Sequence, residues 1–109
     1  MKKIITAKHF FLYKTVSNET FSQLSGLENE YPYLTSARIV LHHQKGTFSG
    51  EMVVNGPRIH FISKAQGRDL LLVIDDLIQK AEIQIRKHKE KRRYIRMKNK
   101  RSLENVFNR

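Results

Sequence analysis

Five histidines, an adjacent pair of aspartates and a dense run of lysines and arginines are the residues whose chemistry could carry a function here. His42 and His43 are neighbours in an alternating stretch, so they point to opposite faces of a strand and do not share one metal ion. His88 falls on an apolar helical stripe, where a partly buried, hydrogen-bonded histidine is expected before a ligand; His9 and His60 stand apart. Asp75 and Asp76 diverge by about 100° on a helix and read as helix-surface residues, not as an acid–base pair. No glycine-rich phosphate loop occurs. The absence of cysteine excludes disulfides, thiolate catalysis and cysteine-bound zinc. Nothing assembles a nucleophile, a base and an oxyanion site, so the expectation is a protein that is no enzyme, with no cofactor, no metal and no small-molecule substrate.

The remaining chemistry is charge. The 109 residues carry 21 Lys and Arg against 10 Asp and Glu, a formal +11 with a pI near 10.2. Residues 1–85 hold ten cations and eight anions. Residues 86–101 hold Arg86, Lys87, Lys89, Lys91, Arg92, Arg93, Arg96, Lys98, Lys100 and Arg101 against Glu90 alone, net +9. A solvated tail that keeps the protein soluble is the plain reading of such a run. Cations packed this closely repel one another until counter-charge arrives, and a polyanion supplies it with counterion release as a driving force. Nucleic acid is therefore the expected partner class. Membrane association is not expected: the longest wholly apolar run, Leu70–Ile74, is five residues, against roughly 20 for a span. Met1-Lys2-Lys3-Ile4-Ile5 imitates a signal peptide until Thr6 and Lys8 interrupt it. A cytoplasmic location follows as the expectation.

The elements that must position these charges are legible from periodicity. Residues 2–6 read as a short strand. Val16, Thr20, Leu24, Leu27 and Tyr31 recur at helical spacing within 14–31, with Thr15 or Ser17 as candidate cap and Tyr31-Pro32 as the stop. From Ser36 the period is two, with Ala37, Ile39 and Leu41 on one face and Arg38, Val40 and His42 on the other. Lys45-Gly46 turns the chain; Gly50, Met52 and Val54 alternate in the next strand; and Asn55-Gly56 predicts a type I′ hairpin. The return strand, 57–65, turns Ile59 and Phe61 inward and Arg58, His60, Ile62 and Lys64 outward. Asp69 is placed to cap a long helix whose stripe is Leu70, Ile74, Leu77, Ile78, Ala81, Ile85 and His88. Lys80, Lys87 and Lys91 lie along one flank of that stripe, with no carboxylate expected among them. The predicted fold is α+β in the order β-α-β-β-β-α: a four-stranded sheet with two helices on one face, over 1–93, and a basic extension over 94–109.

Val54-Asn55-Gly56, then Gly67-Arg68-Asp69-Leu70-Leu71-Leu72-Val73-Ile74-Asp75-Asp76-Leu77-Ile78-Gln79-Lys80 and Gln84-Ile85-Arg86-Lys87-His88-Lys89-Glu90-Lys91, resemble the ribosome hibernation-promoting factor family, also called the ribosome-associated inhibitor A or sigma-54 modulation protein family. The resemblance runs over residues 2–93 and includes Ile5-Thr6 at the end of the first strand. It implies a fold similar to a double-stranded-RNA-binding domain, lodged in the small ribosomal subunit in the mRNA channel and the A- and P-site region. There it would compete with mRNA and tRNA and silence translation in stress or stationary phase. Carried over, Lys80, Arg86, Lys87, Lys89 and Lys91 would contact rRNA, with Arg92, Arg93 and Arg96 continuing the row. Arg38, Arg58, His60, Lys64, Tyr94, Lys98, Lys100 and Arg101 are additional candidate RNA contacts. The first helix departs from the family pattern, carrying Ser22, Gln23, Ser25 and Gly26 where lysines or arginines are usual. The resemblance implies a short form, one expected to lack the C-terminal dimerisation domain of long members.

A general double-stranded-RNA-binding module of the same topology is the alternative. Such domains open their second helix with a lysine cluster, whereas Gly67-Arg68-Asp69 stands here and the cations gather at the far end. A membrane-surface or partner-protein module using the basic amphipathic helix is a third class, disfavoured because the apolar stripe is needed by the core and no Trp or Phe stands on an exposed apolar face.

Overall fold

The computed structural model describes the backbone of residues 1–107 and the side chains of residues 1–90. The elements follow in the expected order: β1 (Lys2–Lys8), α1 (Lys14–Glu30), β2 (Ser36–Gln44), β3 (Thr47–Gly56), β4 (Ile59–Gly67) and α2 (Leu70–Phe107). The sheet order is β1-β2-β3-β4; β1 runs parallel to β2 through the α1 crossover, and the other two pairings are antiparallel. The period-two pattern sets its two faces. Ala37, Ile39 and Leu41 of β2 and Met52 and Val54 of β3 are buried beneath the helices, while Arg38 and Glu51 stand on the opposite, open face.

Two hairpins differ in the turn they use. Lys45 and Gly46 both have positive φ, 53° and 74°, and link Gln44 to Thr47 as a two-residue loop of the I′ kind. The I′ turn expected at Asn55-Gly56 is not formed. Both residues stay in the ladder, opposite His60 and Ile59, and the chain reverses at Pro57-Arg58. Proline pre-sets the first corner and Arg58 takes the positive φ, 61°, at the second. Asn55 spends its side chain on the sheet instead: its amide donates to Ser36 Oγ (3.1 Å) and its Oδ1 lies 2.6 Å from His60 Nδ1.

The α1 helix starts without the predicted Thr15 or Ser17 cap; the chain enters through extended Tyr13, which makes no side-chain cap bond. Packing holds it instead, through buried Thr20, Leu24 and Leu27, with Thr20 Oγ1 donating back to Val16 O at 2.8 Å. It ends at Tyr31 as expected. Its last turns are tied to β1, where Glu28 accepts the Met1 ammonium and Lys3 Nζ, the latter at 3.2 Å.

The α2 helix is capped as predicted, with Asp69 Oδ1 accepting from the N–H groups of Leu71 and Leu72. Ile74, Leu77, Ile78, Ala81 and Ile85 are buried, but Val73 joins them and Leu70 is only half-buried. Val73 lies over Gly50 and Gly67 of the sheet, where a Cβ at either would be in ordinary contact with its methyls at 3.5 Å. Gly50 is also where Leu77 settles, since a Cβ there would sit 2.7 Å from Leu77 Cδ1. Ser63, buried in β4, donates to Leu77 O at 2.9 Å and fixes the helix's height on the sheet. The helix then continues across residue 93 to Phe107 without a change of element.

Candidate nucleic-acid interface

Because α1 and α2 lie side by side and parallel, joined by Gln23 Nε2 donating to Asp75 Oδ1 (3.1 Å), their N-termini share one end of the molecule and the basic half of α2 leaves from the other. The flanks of α2 meet different neighbours. One follows the outer rim of β4: Lys80 Nζ donates to Lys64 O (2.8 Å), and Gln84 Nε2 donates to Ile62 O (3.3 Å). The other faces α1, where Lys89 Nζ lies 5.8 Å from the centre of the buried Tyr31 ring. Burial first, then the charges of Glu30 and Glu82, push the Tyr31 hydroxyl above its ordinary pKa and keep it neutral.

Among the candidate cations of α2 with described side chains, Arg86, Lys87 and Lys89 are exposed on the part of the helix leading away from the sheet. Lys80 differs from them. Its ammonium pairs with Asp76 Oδ2 at 3.0 Å, so a carboxylate does lie on the flank expected to have none. The four-residue spacing from Asp76 to Lys80 is the signal for that pair. The side chains of Lys91, Arg92, Arg93, Tyr94, Arg96, Lys98, Lys100 and Arg101 lie outside the described residues.

The additional candidates occupy other surfaces. Arg38, His60 and Lys64 project from the open sheet face, and Arg58 from the tight turn. A shallow concavity of about 700 Å³ on that face is lined by Arg38, Val40, His42, Glu51 and Lys64, among others, and reaches Asp76 and Lys80 around the β4 rim. Cations of sheet and helix thus meet at that rim, through Lys64 and Lys80, and do not form one plane.

His88 is half-buried as expected, its ring 5.9 Å from that of Phe61, but it is not satisfied: Nε2 is buried without a hydrogen-bond partner among the described residues. Among the described residues no cluster of histidine and carboxylate side chains has the arrangement of a metal site. None of their helices is long and apolar enough to cross a membrane.

Residues 9–13 carry no sequence expectation, yet Phe11 and Tyr13 are the most exposed large apolar side chains described, at 77% and 68%. The signal for them is the unbroken run Phe10-Phe11-Leu12-Tyr13 between Lys8 and Lys14.

Comparison with known proteins matches residues 4–93 to the family model described as sigma 54 modulation protein / S30EA ribosomal protein. The ribosome hibernation promoting factor of Escherichia coli K12 is 29% identical over 93 residues, covering 84% of this chain and 96% of the relative. That of Pseudomonas putida is 23% identical over 95 residues, covering 87% and 93%. Among solved structures, a ribosomal subunit interface protein from Coxiella burnetii superposes with a TM-score of 0.75 at 20% identity, over 83% of this chain and 99% of that one. The N-terminal domain of Thermus thermophilus Protein Y gives a TM-score of 0.68 at 20% identity, over 81% and 99%.

Proposed function

The chain belongs to the sigma 54 modulation protein / S30EA ribosomal protein family, and from that premise we propose that it is a ribosome hibernation factor. It binds the small ribosomal subunit in the mRNA channel and the A- and P-site region, excludes mRNA and tRNA, and inhibits translation in stress or stationary phase. The observation that carries the reading is the basic half of α2, where the exposed Arg86, Lys87 and Lys89 open a 16-residue stretch of net +9. A compact, neutralised fold would gain nothing from that concentration of charge; a groove lined by rRNA phosphates gives each cation a partner and releases counterions. The α/β body supplies a rigid mount, and the likeness of its fold to a subunit interface protein is consistent with that use.

Occlusion makes a specific demand on kinetics. Added protein should inhibit a cell-free translation reaction started from empty ribosomes, and should co-sediment with small subunits. Ribosomes already holding mRNA and initiator tRNA should be protected. Equal inhibition of empty and elongating ribosomes would count against occlusion, and failure to co-sediment would remove the ribosome as the partner.

The alternative, a general double-stranded-RNA-binding module, is disfavoured by the start of α2. The Asp69 carboxylate already occupies the helix N-terminus there, where an anion of the RNA backbone would otherwise sit.

A further inference from the structure

The end of the molecule opposite the basic half of α2 presents a second surface with different chemistry. The loop between β1 and α1 is anchored at alternate residues. Phe10 packs edge-on against Phe48, with ring centres 5.3 Å apart, and also against His43 at 6.2 Å; Leu12 packs against the hydrophobic core. Phe11 and Tyr13, the intervening residues, therefore point outward. Their rings stand 5.3 Å apart at 83°, an edge-to-face pair. His9 begins the loop in the left-handed region, φ 70°, a conformation unusual outside glycine that a well-packed loop must impose.

The charges next to this pair in sequence are cationic: Lys8 and Lys14 flank the loop, and Lys45 lies exposed in the β2–β3 turn, while the Asp69 carboxylate at the same end is engaged as the α2 cap. Two exposed aromatic faces flanked by lysines form a platform for a nucleobase, with cations available for the adjoining phosphates. An apolar protein partner would be served as well by aliphatic side chains and gains nothing from the surrounding lysines. We infer that Phe11 and Tyr13 stack an unpaired base of RNA, making this loop a second RNA contact independent of the α2 cations. The inference deepens the ribosome-binding reading and rests on it for the source of that RNA.

The chain has no tryptophan, so Phe11→Trp places a single reporter on the platform. Titrating this variant with decaadenylate RNA should quench its fluorescence by direct stacking. A paired variant, Phe11→Leu with Tyr13→Leu, keeps apolar bulk and removes both π-faces. It should bind decaadenylate and small ribosomal subunits about tenfold more weakly than wild type, with an unchanged circular-dichroism spectrum. No quenching, together with wild-type affinity of the leucine pair for both probes, would overturn the inference in favour of a simple apolar contact. Wild-type protein that fails to co-sediment with subunits would defeat the ribosomal reading alone, since the decaadenylate titration tests the platform separately.

Discussion

At the scale of single residues, the cations of α2 are not equivalent. Lys80 already serves Asp76 and the Lys64 carbonyl, whereas Arg86 and Lys87 have exposed side chains and Lys89 lies over Tyr31. Replacing Arg86 and Lys87 together by Ala should weaken subunit binding and lower the slope of log affinity against log salt by about 0.7–0.9 per lost phosphate contact. Lys80→Ala should change that slope less, which a binding titration at several salt concentrations checks directly. The charge run was legible because composition alone displays it; the pairing of Lys80 was not, because it depends on which flank of α2 meets β4. Glu28 offers a test in pH. Hydrogen bonds from the Met1 ammonium and Lys3 hold its carboxyl below the ordinary value. A depressed folded-state pKa contributes stability that is present above the unfolded pKa and is lost as pH falls through the folded one. Glu28→Gln should therefore lower thermal stability near neutrality and narrow its difference from wild type in acid. A constant difference in melting temperature from pH 7 to pH 3 would show that the carboxylate charge has no part in it.

At the scale of elements, Gly50 decides how closely α2 approaches the sheet. Gly50→Val would drive methyl groups into fully buried Leu77 and Leu41 and should cost about 1–3 kcal/mol in denaturant unfolding. An unchanged midpoint would mean the helix can lift without loss. All six elements were legible in sequence: α1 and α2 from apolar residues at helical spacing, β2 to β4 from alternation at two, and β1 as a shorter strand, 2–6. What escaped was conformational detail that competes locally. Asn55-Gly56 has the residues of an I′ turn, but Pro57 fixes the next φ and Arg58 accepts the positive one, so the reversal falls two residues later. Val73 lies outside a stripe measured on one helix alone; it becomes core because the sheet extends beneath it at Gly50 and Gly67. The α1 start shows no cap because tertiary burial replaces one.

At the scale of the whole molecule, the buried core of the described residues ends at Ile85 while α2 runs on to Phe107. A chain ending at Lys91 should keep its fold, still reach the small subunit and bind it more weakly with a shallower salt dependence. Overlapping titrations of the two forms would reduce residues 92–109 to a solubilising tail. The rim of β4 carries a different consequence. Unpaired carbonyls along an outer strand invite another chain to add to the sheet. Lys80 and Gln84 reach over to occupy those of Lys64 and Ile62, so the helix that brings the charge also closes the sheet against self-assembly. Like-charge repulsion gives the same protection only while salt is low. Replacing Lys80 and Gln84 together by Ala should thus leave the protein monomeric in dilute buffer and make it prone to thioflavin-positive aggregation at high ionic strength. Two side-chain hydrogen bonds across the rim of β4 would then be what keeps a second copy's strand from adding to the sheet.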